Sequence, residues 1–371
     1  MLPEVITKGF GRLTNISVYS YIEYTDEYNS LGNFQLKTIL NEDGRKLIQE
    51  GYYLLIDEYT CGVIQALNPE VDEETQETTL IVEGYLANQL LTRRCIPKSV
   101  SLSGTRSSIV KQLVTENCAS PSNTNRQLPI TVENYDPGDT EEIELQLTGG
   151  DIEEQIASVL DAGEMGHETT PVLTSTAMTG LNFRTLLGAD RTIGNTAGNS
   201  PVVFSTDLKN ILSGSYSYNT KSYKNTAIVA GEGEGTARNI RTVNDENTGV
   251  DRWELYVDAR DLQSTDEEGN TLTTDQYNQV LDTRGSEKLE ECTIAETYEA
   301  TISVDDDRYV YRRDYYKGDK VTIKDDTIGI QIDARITAVK ISISPEETHY
   351  DLTFGYPHMR IEKKLKRKGV I

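Results

Sequence analysis

His167 stands one residue from Glu168 and three from Glu164, and this trio is the best local acid–base cluster in the chain. An imidazole between two carboxylates has the groups needed for proton transfer near neutral pH. The competing reading is structural, because the chain has only three histidines and none sits in an H-E-x-x-H or H-x-x-E-H frame. Ala227-Ile228-Val229-Ala230 leading into Gly231-Glu232-Gly233-Glu234-Gly235 has the outline of a strand followed by a phosphate-cradling loop. Its chemistry is wrong for that role. The spacing is G-x-G-x-G, no helix pattern follows, and two glutamates would repel a pyrophosphate, so the run reads as a tight backbone crossing at a domain junction. Asp72-Glu73-Glu74-Thr75 and Asp305-Asp306-Asp307 are acidic runs between strands, without the alternating frame of a calcium loop, and read as solvated turns. Cys61, Cys95, Cys118 and Cys292 are far apart and show no C-x-x-C, which leaves four free, buried thiols as the expectation and neither a zinc site nor a disulfide framework. With no Gly-x-Ser-x-Gly elbow and no Cys–His pairing, the sequence names no catalytic residue, no metal ligand and no cofactor.

The totals narrow the field further. At 371 residues the chain fits two to four domains at roughly 100–200 residues each. Sixty acidic and 36 basic side chains leave a net charge of −24, which argues against a protein that grips nucleic acid by neutralising phosphates. Tyr outnumbers Phe and Trp, 21 to five and one, a composition suited to exposed or half-buried sheet faces. Nowhere do about 18 apolar residues run together, and Met1-Leu2-Pro3-Glu4-Val5-Ile6-Thr7-Lys8 lacks a signal-peptide pattern. The expectation is a chain made in the cytoplasm that does not insert in a membrane.

The elements are mainly strands. From Leu13 to Leu86 short strands alternate with turns, broken by a helix from Glu42 to Gln49 that Asn41 caps and that turns Leu47 and Ile48 inward. Between Ser99 and Thr170 the pattern changes. Arg106 to Asn117 and Asp151 to Ala162 carry apolar residues at helical spacing (Ile109, Val110, Leu113 and Val114, then Ile152, Ile156, Val159 and Leu160), with a short strand at 128–132 between them. Residues 174–200 are rich in Thr, Gly, Asn and Ser and read as short strands and turns; strands resume at 211–218 and 226–230. Turn clusters at 244–249 and 266–270 precede a helix from Thr273 to about Glu291, opened by the capping box Thr273-x-x-Gln276.

The stretch from Tyr309 to Phe354 is the most regular in the chain. After the turn Lys317-Gly318-Asp319-Lys320, Val321 and Ile323 and then Ile328, Ile330, Ile332, Ala334, Ile336 and Ala338 alternate at a spacing of two, the mark of a half-buried strand. The phase then switches to Val339, Ile341 and Ile343, which predicts a bulge near Ala338 and a sharply curved sheet. The expected fold is mainly β with α+β insertions: two tube-like β-barrel domains plus two smaller mixed domains. The divisions are 1–98 for the first barrel, 99–170 for a small α+β domain, 171–230 with 298–357 for the second barrel, 231–297 for an inserted α+β domain, and 358–371 for a basic tail that carries Lys363, Lys364, Lys366, Arg367 and Lys368.

Three blocks resemble the hub proteins of long-tailed bacteriophage tail tips and baseplates. Gly32-Asn33-Phe34-Gln35-Leu36, the Gly51 turn, Cys61-Gly62-Val63-Ile64 and Ile81 to Arg94 are similar to that family's N-terminal barrel. Gly231 to Gly235 with Arg238 and then Trp253 to Asp261 resemble its insertion, and Asp314 to Phe354 its closing strands. The resemblance implies two barrels per subunit and three subunits in a ring, so that six barrels match a six-fold tail tube to a three-fold spike or fibre. It implies a non-enzymatic virion protein whose partners are two further copies of itself, the tail tube or distal tail proteins and the central spike or fibre, with DNA passing through without specific binding. No lysin or fibre domain is expected in this chain. Two other readings stand beside it: a tail-associated cell-wall hydrolase using Glu164 and Glu168, and a carbohydrate-binding adsorption protein suggested by the tyrosines.

Overall fold

The computed structural model describes residues 2–39, 42–71, 78–147, 149–175, 177–265, 271–292, 294–303 and 308–355. The acidic run from Asp72 to Thr75, the turn cluster at 266–270, Asp305 to Asp307 and the basic tail from Arg360 lie outside them. Strand outweighs helix, 44% to 18%, so the mainly β expectation holds. The chain divides into two compact units, Met1–Ser215 with Tyr298–Gly355, and a second described over 216–297.

The first unit opens with β1 (Glu4–Ile6) and β2 (Arg12–Asn15), a hairpin, followed by β3 (Tyr19–Glu27) and β4 (Asn33–Ile39). β3 alternates in register with its burial: Ile22, Tyr24 and Asp26 point inward, while Tyr21, Glu23 and Thr25 face out. The short helix α1 (Glu42–Leu47) leads to β5 (Tyr53–Leu55), β6 (Cys61–Val71) and β7 (Thr78–Leu86). Past that helix Ile48 is buried, but Leu47 stays 39% exposed, contrary to the expected inward pair, because the helix ends at Leu47 and has too few turns to present a second apolar position.

Then come β8 (Val100–Thr105), helix α2 (Arg106–Val114), β9 (Ile130–Val132), β10 (Glu142–Leu147) and helix α3 (Ile152–Asp161). Both helices start where a side chain can satisfy a free backbone N–H, Thr105 accepting from Ser108 and Asp151 from Glu154. Their apolar stripes meet in one core, where Ile109, Val110, Leu113, Ile152, Ile156 and Leu160 pack with Phe183. β11 (Gly166–Leu173) and β12 (Met178–Leu186) form a hairpin that takes β9 alongside β12 in parallel. The Thr- and Gly-rich region thus holds one nine-residue strand and a short one, β13 (Asp190–Arg191), and β14 (Val203–Ser205) lies just past it. β15 (Ile211–Asn219) follows.

The second unit is a three-stranded sheet under a helix. β16 (Thr226–Ala230) is its central strand, antiparallel to β17 (Ile240–Val243) and parallel to β18 (Glu254–Asp258). Helix α4 (Thr274–Glu290) carries the predicted capping box in full, with Thr273 and Gln276 each bonding the other's backbone N–H. Its Tyr277 and Leu281 bury against Ala227, Val229 and Val257.

The chain closes with β19 (Ala295–Ile302), β20 (Lys320–Asp325), β21 (Ile330–Ile343) and β22 (Thr348–Gly355). Ile328 lies in the turn between β20 and β21 and is 46% exposed, so the alternation begins anew at Ile330. The bulge is where the change of phase placed it: pairing with β22 shifts between Ile336 and Ala338, and both Ala338 and Val339 are buried. One fourteen-stranded sheet runs β15-β19-β22-β21-β3-β4-β7-β6-β5-β1-β2, with β20 also beside β21 and β13 and β14 beside β20. β21 pairs antiparallel with β3, which joins the early strands to the late ones without a break. Among the described residues no sheet closes on itself as a barrel.

Candidate functional site

The trio read from the sequence does not come together. His167 is fully buried, its Nε2 3.3 Å from Glu153 Oε1 on α3 and its ring stacked 5.8 Å from Phe183. Glu168, next along β11, accepts from Arg184 Nε at 2.6 Å. Glu164, in the turn after α3, accepts from Arg335 Nη2 at 2.7 Å and lies 2.9 Å from Lys320 Nζ. Burial alone would raise the Glu164 carboxyl, but the bonds from Lys320 and Arg335 win and hold it below its ordinary range. A general acid needs the opposite shift. The glycine run turns out to be packing: a Cβ on Gly231 would come within 2.7 Å of Tyr277 Oη on α4, and that hydroxyl accepts from Glu232 N at 2.8 Å. Among the described residues no group of His, Cys, Asp and Glu is placed to hold a metal ion, and no helix is long and apolar enough to cross a membrane.

Two other features have functional geometry. The first is a buried ionic junction that sequence reasoning missed. Asp26, on the inward side of β3, accepts from Arg312 Nη2 at 2.7 Å, from Tyr311 Oη at 2.9 Å and from Lys317 Nζ. Burial alone would raise its carboxyl; Lys317 and Arg312 pull it below the usual carboxylate range. Lys317 also donates to the Glu27 carbonyl at 2.9 Å and lies 3.6 Å from Glu168 Oε2. Arg312 sits 4.9 Å over the ring of Tyr59 with its backbone at φ +64°, a strained conformation that these contacts maintain. Asp319 completes the junction by accepting from Ala189 N and Arg191 Nε, both at 2.8 Å. The available signal was Asp26 itself, a carboxylate at a strand position whose neighbours in phase, Tyr24 and Tyr28, are buried.

The second is the outward face of the main sheet. Its core side is apolar, with Ile22, Leu36, Val82, Val339, Ile341 and Leu352 all buried. Its other side is a continuous row of cross-strand polar pairs. Lys340 reaches Glu23 at 3.2 Å, Lys37 reaches Glu70 at 3.1 Å, and Glu83 accepts from Gln35 at 2.6 Å and Asn68 at 2.9 Å. Farther along, Thr301 donates to Asp351 at 2.6 Å. A trough of about 530 Å³ crosses this face past Glu23, Gln35, Glu83, Tyr85 and Lys340. No nucleophile or metal-ligand set lines it, and each carboxylate named is already engaged.

The model of the Siphovirus ReqiPepy6 Gp37-like protein family matches residues 2–356. The chain belongs to that family. Solved phage tail proteins share the family member's fold. The tail protein of Neisseria meningitidis has a TM-score of 0.55 at 13% identity, with 96% of each chain covered. The 43 kDa tail protein of prophage MuSo2 from Shewanella oneidensis has a TM-score of 0.56 at 13% identity, covering 96% of this chain and 99% of that one. Prophage tail protein gp18 from Listeria monocytogenes gives 0.54 at 13% identity, covering 100% and 99%. No curated protein matches the sequence. The Gp37-like chain is therefore built over its whole described length on the plan of phage tail proteins, as the three sequence blocks implied.

Proposed function

We propose that this Gp37-like protein is the structural hub of a siphophage tail tip, a virion component without enzymatic activity that assembles as a three-subunit ring. Each subunit contributes two tube-like β-barrel domains, 1–98 and 171–230 with 298–357. Residues 99–170 and 231–297 are smaller mixed domains and 358–371 a basic tail. Six barrel domains around one axis then adapt a six-fold tail tube to a three-fold spike or fibre. The host bacterial cytoplasm is where the ring assembles.

The observation that carries this reading is the unbroken sheet with an apolar core side and a polar open side. Three such sheets around an axis make a tube wall, and the open side is the surface we assign to the passing DNA. Its carboxylates are matched within the face by Lys37, Lys340, Gln35, Asn68 and Thr301. A wall of that kind offers DNA no cluster of free cations, and so none of the counterion-release affinity that would retard it. The net charge of −24 acts in the same direction.

The test is absolute mass by light scattering at moderate salt, followed by imaging of the oligomer. A three-fold ring with an open centre is expected. Clearing of purified peptidoglycan by the protein, lost in Glu168→Gln, would replace this reading with the hydrolase.

A further inference from the structure

Two free edges of the main sheet are unlike in sequence but share one deficiency: each leaves apolar side chains of the core side uncovered. One is β15, the terminal strand of the path. Gly214 faces the buried Tyr298, whose hydroxyl would lie 2.1 Å from an added Cβ, so Leu212, two residues earlier, shares the core-side face. Yet Leu212 is 61% exposed. The other is the distal half of β6, which runs on past β5 while the path itself continues through β5 and β1 to β2. Leu67 and Pro69 pair with Val82 and Leu80, both buried, which puts Leu67, Pro69 and Val71 on the core-side face as well, and Val71 is 60% exposed. β5 covers the outer edge of β6 only along Cys61 to Val63, and among the described residues no strand lies beside it from Ala66 onward.

Exposed strand edges are normally guarded by charge or proline against pairing with another chain. β15 has neither: Ile211 to Asn219 contains no Asp, Glu, Lys, Arg or Pro, in a chain where 26% of residues are charged. We infer that the segment from Ile211 to Ser215 of one copy joins the segment from Leu67 to Val71 of the next, a head-to-tail contact between two copies of this chain that buries Leu212 against Val71 and Leu67. Pro69 has no N–H to give, so this joint rests on apolar packing and a partial ladder. A head-to-tail contact uses two different patches and closes into a ring when its rotation permits. The inference rests on the hub reading and names the surfaces that close its ring.

The test uses full-length protein at moderate salt. Leu212→Lys and Val71→Lys replace side chains that solvent already reaches, so each folds as the parent does by circular dichroism, and each loses the ring and runs as a monomer. In a Cys95→Ser background, Leu212→Cys and Val71→Cys proteins are mixed and treated with a short bismaleimide; the mixture gives a crosslinked pair that neither protein gives alone. A ring that persists undiminished in both lysine variants, or Leu212→Cys crosslinking to itself, overturns the joint and leaves the hub reading standing. A parent protein that stays monomeric up to about 1 mM overturns both.

Discussion

Asp26 and Lys317 are 291 positions apart in the chain and form a buried ion pair, Lys317 Nζ donating to Asp26 Oδ1. Around that pair Arg312, Tyr311, Glu168 and Asp319 fasten the segment before β20 to β3, β11 and the turn at Ala189. The junction is where the early and late strands of the main sheet are keyed to each other, next to the β21–β3 pairing itself.

Removing one partner from such a pair leaves the other charge buried and unmatched, at a cost of about 3–5 kcal/mol. Asp26→Asn strands both Lys317 and Arg312 and is expected to lower the unfolding free energy in urea by that amount. Arg313→Ala, at the exposed pair with Asp314, should change it by less than about 1 kcal/mol. Equal effects for the two would show that the junction contributes no more than surface charge.

The acid limb of the stability curve follows from the same groups. Asp26 and Glu164 have folded-state pKa values below their ordinary ones, so the unfolded chain takes up protons first as pH falls. Their contribution is complete above about pH 5 and is lost as pH drops through the lowered folded values. Denaturant melts from pH 6 to pH 2 should show stability falling across that range, and the slope should be shallower in Asp26→Asn. An unchanged slope in the variant would remove Asp26 from the account.

Gly84 on β7 has backbone in the way of any side chain: an added Cβ would lie 2.0 Å from the Val63 carbonyl and 2.8 Å from the Phe34 ring. Backbone in the middle of a sheet cannot step aside, so Gly84→Ala should cost about 3 kcal/mol or prevent soluble expression. Gly194→Ala meets nothing within 4 Å and should leave the melting temperature unchanged. Differential scanning calorimetry of the pair decides it.

The capping box of α4 is confined to the second unit and can be tested there. Thr273→Ala removes the hydroxyl that accepts from Gln276 N and leaves only the backbone N–H of residue 273 bonded to Gln276 Oε1, at about 1 kcal/mol; Thr273→Ser keeps both bonds. Hydrogen exchange along α4 should speed in the alanine variant and stay at the parent rate in the serine one.

What the sequence alone determined was local. The phase change at Ala338, the capping box at Thr273 and the stripes of α2 and α3 depend on residues within one or two turns of each other, so periodicity and capping chemistry reveal them directly. The three blocks similar to tail hubs were legible for the same reason, since short runs keep their pattern. Tertiary structure alone decided the rest. That β21 should lie beside β3, and that His167, Glu164 and Glu168 should turn to three different sets of partners, depends on which strands become neighbours. Asp26 shows the reason most plainly. A carboxylate at a buried strand position is unfavourable until its counter-charges arrive, and Arg312 and Lys317 are brought to it only when the whole sheet has formed.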